Sequence, residues 1–203
     1  MEYKGIDVSH WQADGKAIDW AKVKAAGYSF VFIKAAQGST SGAIYADAKF
    51  AQNLNGAASA GVSVGVYLFS KALTEKAANT EAENLVALLA PYKDKITWPV
   101  VYDIESTEQA KTSRKAVNTA QVQAFCAVVQ AAGYTPMLYC NPAWAASYID
   151  VNAVGVDVWL AHYTYTPGKT QYKGAYTIHQ YSDKGQVDGI AVNTDLNIAY
   201  KDY

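Results

Sequence analysis

The sequence has almost no net charge and no long apolar run. Its formal net charge is −1, and no block of lysine or arginine stands out. We therefore expect neither nucleic-acid binding nor a polybasic membrane patch. No apolar stretch approaches the roughly 20 residues that a bilayer-spanning helix needs. The composition favours a protein whose partner is neither a nucleic acid nor a membrane.

Cysteine and histidine are too sparse to indicate a metal site. Cys126 and Cys140 are the only two cysteines, and they form no Cys-x-x-Cys pair. We expect buried free thiols, with a disulfide between the two as the open alternative. His10, His162 and His179 do not share a metal-ligand spacing. The sequence therefore predicts no metal and no cofactor.

Tyrosine and tryptophan are abundant. The chain has 16 Tyr and 5 Trp but only 5 Phe. Both abundant types combine an apolar ring face with a polar group. Such side chains suit a groove that stacks on sugar rings, although they also suit an ordinary amphipathic surface.

Strand and helix patterns alternate through the first two thirds of the chain. We predict strands at 4–9, 28–35, 62–69, 98–103, 134–140, 157–161, 175–181 and 187–197. We predict helices at 19–26, 46–60, 75–89 and 119–132, and a short one that opens at Asn141. Alternation favours parallel βαβ units, and eight strands are enough to close a barrel. We therefore expect one α/β catalytic domain over residues 1–203, an incomplete TIM-like barrel of eight strands and five main helices, (β/α)5(β)3.

The segment 99–106 carries two carboxylates at the end of an apolar strand. Asp103 and Glu105 are two residues apart, so in a strand they project to one face and Ile104 to the other. Two adjacent acids cannot both ionise freely, so one holds its proton to a higher pH. A proton donor beside an anion is what cleavage of a glycosidic bond usually requires. A strand that runs into an acidic turn is the structural alternative.

Polar and aromatic side chains recur at the ends of the other predicted strands. They are Asp7, Lys34, Phe69, Tyr139, Asn141, His162, Tyr163, Gln180 and Tyr181, with Asp195 and Asn197 on the last strand. In eightfold barrels the chemistry gathers at the C-terminal ends of the strands. A rim of acids, amides and aromatic side chains is hard to explain by packing alone, so we predict a catalytic site there.

Six sequence motifs, in order along almost the whole chain, resemble glycoside hydrolase family 25. These are the Chalaropsis-type lysozymes, which include many phage endolysins and bacterial autolysins. The motifs are Asp7-Val8-Ser9-His10-Trp11-Gln12, Phe32-Ile33-Lys34-Ala35, Val101-Tyr102-Asp103-Ile104-Glu105, Trp159-Leu160-Ala161-His162-Tyr163, His179-Gln180-Tyr181-Ser182, and Val187-Asp188-Gly189-Ile190 followed by Thr194-Asp195-Leu196-Asn197. Each motif is weak alone, and their shared order makes the resemblance strong.

The resemblance implies a reaction and a role for each acid. The reaction is hydrolysis of the β-1,4 bond between N-acetylmuramic acid and N-acetylglucosamine in peptidoglycan, the activity of a lysozyme or muramidase. Glu105 matches the general acid, and Asp103 matches the partner that stabilises the reacting centre. Asp7 and Asp195 match flanking acids that shape the charge of the pocket and orient groups within it.

Further residues are expected to bind substrate, and some alternatives stay open. The predicted substrate-binding residues are Lys34, Tyr67, Tyr139, Tyr163 and Gln180. Asp7 could instead cap a turn through backbone amides, and Asp195 could form a structural ion pair with Lys34. We interpret Asp188 as a turn residue. A retaining, an inverting and a substrate-assisted route all remain possible, and the acetamide of the substrate favours the last slightly.

The expected partner is the glycan strand of bacterial peptidoglycan. We expect a monomer, because cleavage of a polymer needs an open groove. No signal peptide is visible after Met1, so we expect action on the cell wall from outside the cell or after release from the cytoplasm during lysis. No wall-binding module is visible before Tyr203, which leaves host range open. The rival functions are a chitinase-like glycosidase, a catalytically inactive wall-binding barrel, and an amidase, which would need zinc ligands.

Overall fold

The computed structural model describes residues 2–112 and 114–203. The strands are β1 (Tyr3–Val8), β2 (Phe30–Gly38), β3 (Ile44–Ala46), β4 (Ser63–Phe69), β5 (Val100–Asp103), β6 (Pro136–Cys140), β7 (Asp157–Ala161), β8 (Ile178–Gly185) and β9 (Thr194–Ala199). The helices are α1 (Trp20–Ala25), α2 (Phe50–Ser59), α3 (Glu75–Leu89), α4 (Thr107–Thr112), α5 (Lys115–Ala131), α6 (Pro142–Ser147) and α7 (Val151–Val154). Short 3-10 helices span His10–Gln12 and Ala90–Lys95.

Eight of these strands close into a barrel. The order around it is β1, β2, β4, β5, β6, β7, β8 and β9, and β9 returns to β1. Neighbours from β1 through β8 run parallel, whereas β9 is antiparallel to both β8 and β1. β3 only extends β2 as an antiparallel hairpin. The predicted incomplete α/β barrel is therefore confirmed.

Alternate residues of the strands fill two separate cores. Inside the barrel, Phe30 stacks on Trp98 with ring centroids 4.1 Å apart, and Phe32 stacks on Trp159 at 4.4 Å. The intervening β2 residues Val31 and Ile33 are fully buried in the other core, between the barrel and its helices. This is the two-sided coverage that the apolar run at 28–35 predicts, since successive side chains of a strand point to opposite faces.

Three helices that the sequence predicts begin with a side-chain cap. The backbone N–H of Lys22 donates to Asp19 before α1, and that of Ala77 donates to Thr74 before α3. At α6 the cap is Asn141. Each cap satisfies an amide that has no partner within its helix.

The helix predicted at 46–60 begins too early. The structure places a strand at Ile44–Ala46 and starts α2 at Phe50. Asp47 lies between them and accepts hydrogen bonds from the backbone N–H groups of His10 and Lys49. Local composition favours a helix here, but pairing with β2 and this carboxylate bridge hold the segment in another conformation.

The last two strands lie further along the chain than predicted. β8 continues to Gly185, and β9 starts only at Thr194. The residues Val187 to Ile190 form a turn closed by a backbone hydrogen bond from the N–H of Ile190 to the carbonyl of Val187. Gly189 in this turn has φ = 100°, a conformation that suits glycine. Asp188 is thus a turn residue, as predicted.

The composition predicts free thiols and no membrane-spanning helix. Cys126 and Cys140 are both free and buried. None of the helices in the described ranges combines the length and apolar character needed to cross a lipid bilayer.

Candidate active site

One cavity of about 190 Å³ opens at the rim where the parallel strands end. Its wall contains every residue that the sequence predicts for the site, namely Glu105, Asp103, Asp7, Asp195, Lys34, Tyr67, Tyr139, Tyr163 and Gln180. Phe69 and Trp159 complete the lining. The arrangement brings acids, one lysine, an amide and aromatic rings together in a single place.

The direction of each strand explains how the acids meet. Asp7 and Asp103 lie at the C-terminal ends of β1 and β5. β9 runs the opposite way, so its second residue, Asp195, reaches the same rim and pairs directly with Asp7 in the ladder. Glu105 lies just beyond the end of β5. The strand alternation continues past this end, because Ile104 is buried in the outer core while Glu105 lines the cavity.

Asp7 is held by a chain of side-chain hydrogen bonds. Its Oδ2 accepts from Gln180 Nε2 and from Asn197 Nδ2, both at 2.8 Å. Tyr139 Oη in turn donates to Gln180 Oε1 at 2.9 Å, and Trp159 Nε1 donates to Asn197 Oδ1 at 2.7 Å. The hydrogen-bond donors to Asp7 are thus side chains of the barrel interior. In the alternative, a turn cap, backbone amides would donate to Asp7 instead.

Asp7 and Asp195 share a proton. Burial, followed by the charge of Asp7, raises the pKa of Asp195 to about 9, so this carboxyl is protonated near neutral pH and hydrogen-bonds to Asp7. Burial also raises the pKa of Asp7, while the hydrogen bonds from Asn197, Gln180 and Asp195 oppose that rise. The two adjacent carboxyl groups therefore do not both ionise near neutral pH. Asp195 and Lys34, which could have formed a structural ion pair, do not form one among the described residues.

Asp103 and Glu105 differ in exposure and in neighbouring charge. Asp103 is 5% exposed, whereas Glu105 is only partly buried. Burial raises the pKa of both; the charge of Glu105 adds to the rise at Asp103, and that of Asp7 to the rise at Glu105. The ammonium of Lys34 acts in the other direction on Asp103. Its Nζ also lies 5.2 Å from the ring centre of Phe69. The pKa of Asp103 is raised the more strongly of the two, so Asp103 is the carboxyl that more readily keeps its proton, although Lys34 opposes this.

The tyrosines of the cavity stay neutral. Burial, with the nearby carboxylates, raises the pKa of Tyr67, Tyr139 and Tyr163 above the ordinary value. Tyr67 and Tyr139 pack edge-on against Trp159, with ring centroids 6.2 and 4.7 Å away. Tyr67 and Tyr163 therefore keep their hydroxyl protons in the cavity, whereas Tyr139 donates its own to Gln180.

Three residues of this site lie outside the predicted catalytic and substrate-binding sets, although Phe69 and Asn197 belong to the side chains predicted at the rim. Phe69 and Trp159 line the cavity, and Asn197 binds Asp7. Trp159 lies two residues before Ala161 on β7, and Asn197 lies two residues after Asp195 on β9. Because every second side chain of a strand points to the same face, this spacing could have identified both residues. By contrast Tyr102 is buried on the outer side of the sheet against Phe125, with ring centroids 4.4 Å apart.

Exposed aromatic side chains lie in segments next to the strand ends that form the cavity. Trp11 is 70% exposed and follows β1, and Tyr45 is 66% exposed on β3. Tyr163 and Tyr165 follow β7 and are also exposed. These four side chains, which we call the aromatic rim, all lie in segments adjoining the C-terminal ends of parallel strands. Tyr163 also lines the cavity, whereas the other three offer exposed rings outside its lining.

Protein comparisons agree with this geometry. The model of the glycosyl hydrolases family 25 matches residues 6–190. Lysozyme M1 of Streptomyces globisporus is 28% identical over an alignment of 204 residues. The alignment covers 96% of this chain and 66% of that protein. The autolytic lysozyme of Clostridium acetobutylicum is 26% identical over 194 residues, which cover 96% of this chain and 55% of that protein. The chain thus spans about two thirds and about half of the length of these relatives.

Solved structures share the fold. A bacterial lysozyme from Streptomyces coelicolor superposes with a TM-score of 0.74 at 26% identity, covering 96% of this chain and 90% of that one. The modular autolysin LytC of Streptococcus pneumoniae, solved with a synthetic peptidoglycan ligand, gives 0.81 at 22% identity, covering 98% of this chain and 47% of that one. With its barrel, its acidic cavity and a family match over most of its length, this chain belongs to the glycosyl hydrolases family 25.

Proposed function

We propose that this chain is a peptidoglycan hydrolase of the lysozyme type, which cleaves the β-1,4 bond between N-acetylmuramic acid and N-acetylglucosamine. The observation that carries the proposal is the convergence of Asp7, Asp103, Glu105 and Asp195 with tyrosines in one cavity. The printed names of two relatives, a lysozyme and an autolytic lysozyme, support the same substrate class. We further propose that the enzyme acts as a monomer on the bacterial cell wall.

Glu105 is the proposed general acid. It lines the cavity and also an open depression of about 360 Å³ beside it, so it stands where a glycan chain would pass from one to the other. Burial raises its pKa, which keeps a proton available for the oxygen of the scissile bond. Asp103, deeper in the cavity, is the proposed partner of Glu105; because its pKa is raised more strongly than that of Glu105, the proposal requires that bound substrate leaves the proton on Glu105.

The proposed route is substrate-assisted. The acetamide oxygen of the substrate would attack the anomeric carbon while Glu105 protonates the leaving oxygen, and Asp103 would hold the acetamide N–H. Water would then open the cyclic intermediate with retention of configuration. Proton NMR of the fresh product tests this route, since an inverted anomer would exclude it.

Asp7 and Asp195 have a proposed supporting role. The protonated Asp195 lies against Asp7, which is tied to Gln180 and Asn197 at the base of the cavity. A fixed partial negative charge there would stabilise the positive charge that develops on the sugar ring in the transition state.

Analysis of the products of wall digestion tests the reaction itself. Purified walls are digested, reduced with borohydride, and the reduced sugar is identified. Reduced muramic acid supports the proposal, and reduced glucosamine would instead indicate a glucosaminidase. No new reducing end would indicate an amidase or an inactive binding protein, and equal cleavage of chitin oligomers would favour a chitinase-like enzyme.

Replacing the proposed acid tests its role. We expect Glu105→Gln to lower the rate of wall digestion by about 10²–10⁴-fold, because the amide cannot donate the proton. Glu83→Gln makes the same chemical change at an exposed position of α3 and should leave the rate unaltered. Activity of Glu105→Gln near the wild-type level would remove Glu105 from the mechanism.

A further inference from the structure

A buried polar cluster lies behind the strand ends that carry the acids. It consists of Ser70, Glu81, Tyr102 and Gln109, each fully buried. None of them lines the cavity. We call this group the Glu81 cluster. Burial of a carboxyl and an amide is costly unless their hydrogen bonds are made, so the contacts of the cluster indicate what it holds in place.

Glu81, on α3, fixes the segment that follows β4. Its Oε2 accepts from Ser70 Oγ at 2.7 Å and from Tyr102 Oη at 3.3 Å. Its Oε1 accepts from the backbone N–H of Lys71 at 3.1 Å. The backbone N–H of Ser70 is thereby directed back to β5, where it donates to the carbonyl of Asp103 at 2.8 Å.

Gln109, on α4, connects this segment to the one that follows β5. Its Nε2 donates to the carbonyl of Ala72 at 2.9 Å and to Ser70 Oγ at 3.3 Å. Its Oε1 accepts from the backbone N–H of Ser106 at 3.1 Å, and its own N–H donates to Ser106 Oγ at 3.2 Å. This reciprocal pair is a capping box at the start of α4.

Glu105 lies between the two anchored points. On one side the carbonyl of Asp103 is bonded to Ser70, and on the other the N–H of Ser106 is bonded to Gln109. Only Ile104 and Glu105 separate these anchors, and Ile104 is fully buried. The backbone of Glu105 therefore has little freedom, although its side chain lies outside regular structure.

We propose that Gln109, supported by Glu81, is a positioning residue that fixes the backbone of Glu105 for proton transfer. The inference rests on the proposed function, because it assumes that Glu105 is the acid. A misplacement of about 1 Å at a reacting group lowers the rate steeply, while substrate binding by the rest of the cleft is unaffected. The signature of such a role is a loss of kcat with KM retained.

The test compares two buried glutamines. Gln109→Met removes both donor bonds and the acceptor while keeping the length of the side chain. Gln121→Met is the matched control, since Gln121 is also fully buried, on α5, and neither of its side-chain polar atoms has a hydrogen-bond partner within residues 2–112 and 114–203. Both variants are assayed on soluble glycan strands, and their melting temperatures are measured in parallel.

We expect Gln109→Met to lower kcat about 10-fold or more with KM within about 3-fold, and Gln121→Met to retain kcat. Equal kcat for the two variants would overturn the inference.

If Gln109→Met does not fold, Ser106→Ala provides a second test, because it breaks one bond of the capping box. We expect Ser106→Ala to lower kcat several-fold at unchanged KM. An unchanged kcat would overturn the inference as well. Product analysis of the wild type tests the proposed function separately, so the two failures are distinguishable.

Discussion

At the scale of single residues, burial decides the chemistry of this site more than pairing does. For Asp7, Asp103, Glu105 and Asp195, desolvation is the largest influence on the pKa and raises it in each case. Lys34 is the cation that lines the cavity. Several buried acids that share one cation cannot all be ionised, so the site retains protons near neutral pH.

The Asp7–Asp195 pair predicts a pH dependence of stability. The pKa of Asp195 is about 9 in the folded chain and about 4 in an unfolded one. Between these values the unfolded state binds fewer protons than the folded state, so stability falls as the pH rises. We expect Asp195→Asn to remove this slope, because an amide can still donate to Asp7 without titrating.

Thermal melts from pH 4 to pH 9 measure this effect. The melting temperature of Asp195→Asn relative to the wild type should rise with pH by several degrees, since about 1 kcal/mol corresponds to roughly 2–4 °C in a chain of this size. Asp94→Asn, at an exposed position, should follow the wild-type curve. A constant difference between Asp195→Asn and wild type across this range would contradict the assigned proton.

At the scale of elements, the packing of α3 on β2 depends on one missing side chain. Gly38, the last residue of β2, lies so close to Glu81 that an added Cβ would overlap the carboxylate. Glu81 cannot move aside without losing its bonds to Ser70 and Lys71. The element contact and the Glu81 cluster are therefore coupled.

This contact predicts that Gly38→Ala is destabilising. Overpacking of a buried site costs about 1–3 kcal/mol, so we expect the melting temperature to fall by several degrees. If Gln109 acts as proposed, kcat should fall as well, because Glu81 would be displaced. Gly15→Ala is the control, since nothing lies within 4 Å of a Cβ added there. Equal melting temperatures for the two variants would show that α3 can shift freely.

At the scale of the whole molecule, the cavity is smaller than the proposed substrate. A volume of about 190 Å³ cannot enclose a polymer, so most of a glycan strand would lie on the surrounding surface. The aromatic rim provides exposed ring faces there, and Trp11 is the most exposed of them. Trp11 is also supported by the ring of His10, with centroids 4.6 Å apart.

We expect Trp11→Ala to weaken binding of long strands. Contacts with an aromatic face contribute about 0.5–1.5 kcal/mol, which corresponds to a roughly 2- to 10-fold rise in KM. The effect should be smaller for the shortest oligosaccharide that is cleaved, because it covers less of the surface outside the cavity. Val117→Ala, at an exposed apolar position of α5, is the control and should leave KM unchanged for long and short substrates alike. Kinetics on strands of graded length measure the difference, and an equal rise at every length would place Trp11 inside the site.

The sequence by itself determined the elements and most of the cavity. Apolar strand patterns and caps such as Asp19 and Thr74 act within a few residues, so they could be read locally. The motifs also indicated Asp7, Asp103, Glu105 and Asp195, all of which line the cavity. Their catalytic roles remain proposals.

Only the tertiary structure decided how these residues act on one another. The antiparallel direction of β9 and the late start of α2 depend on contacts with distant segments, since β9 pairs with β1 and Asp47 binds the backbone of His10. The proton shared by Asp7 and Asp195 and the hold of Gln109 on Ser106 and Ala72 arise from burial and contact between separate elements. The shared proton and the contacts of Gln109 both depend on which groups are buried against each other and shielded from water. Closure of the barrel decides which groups these are.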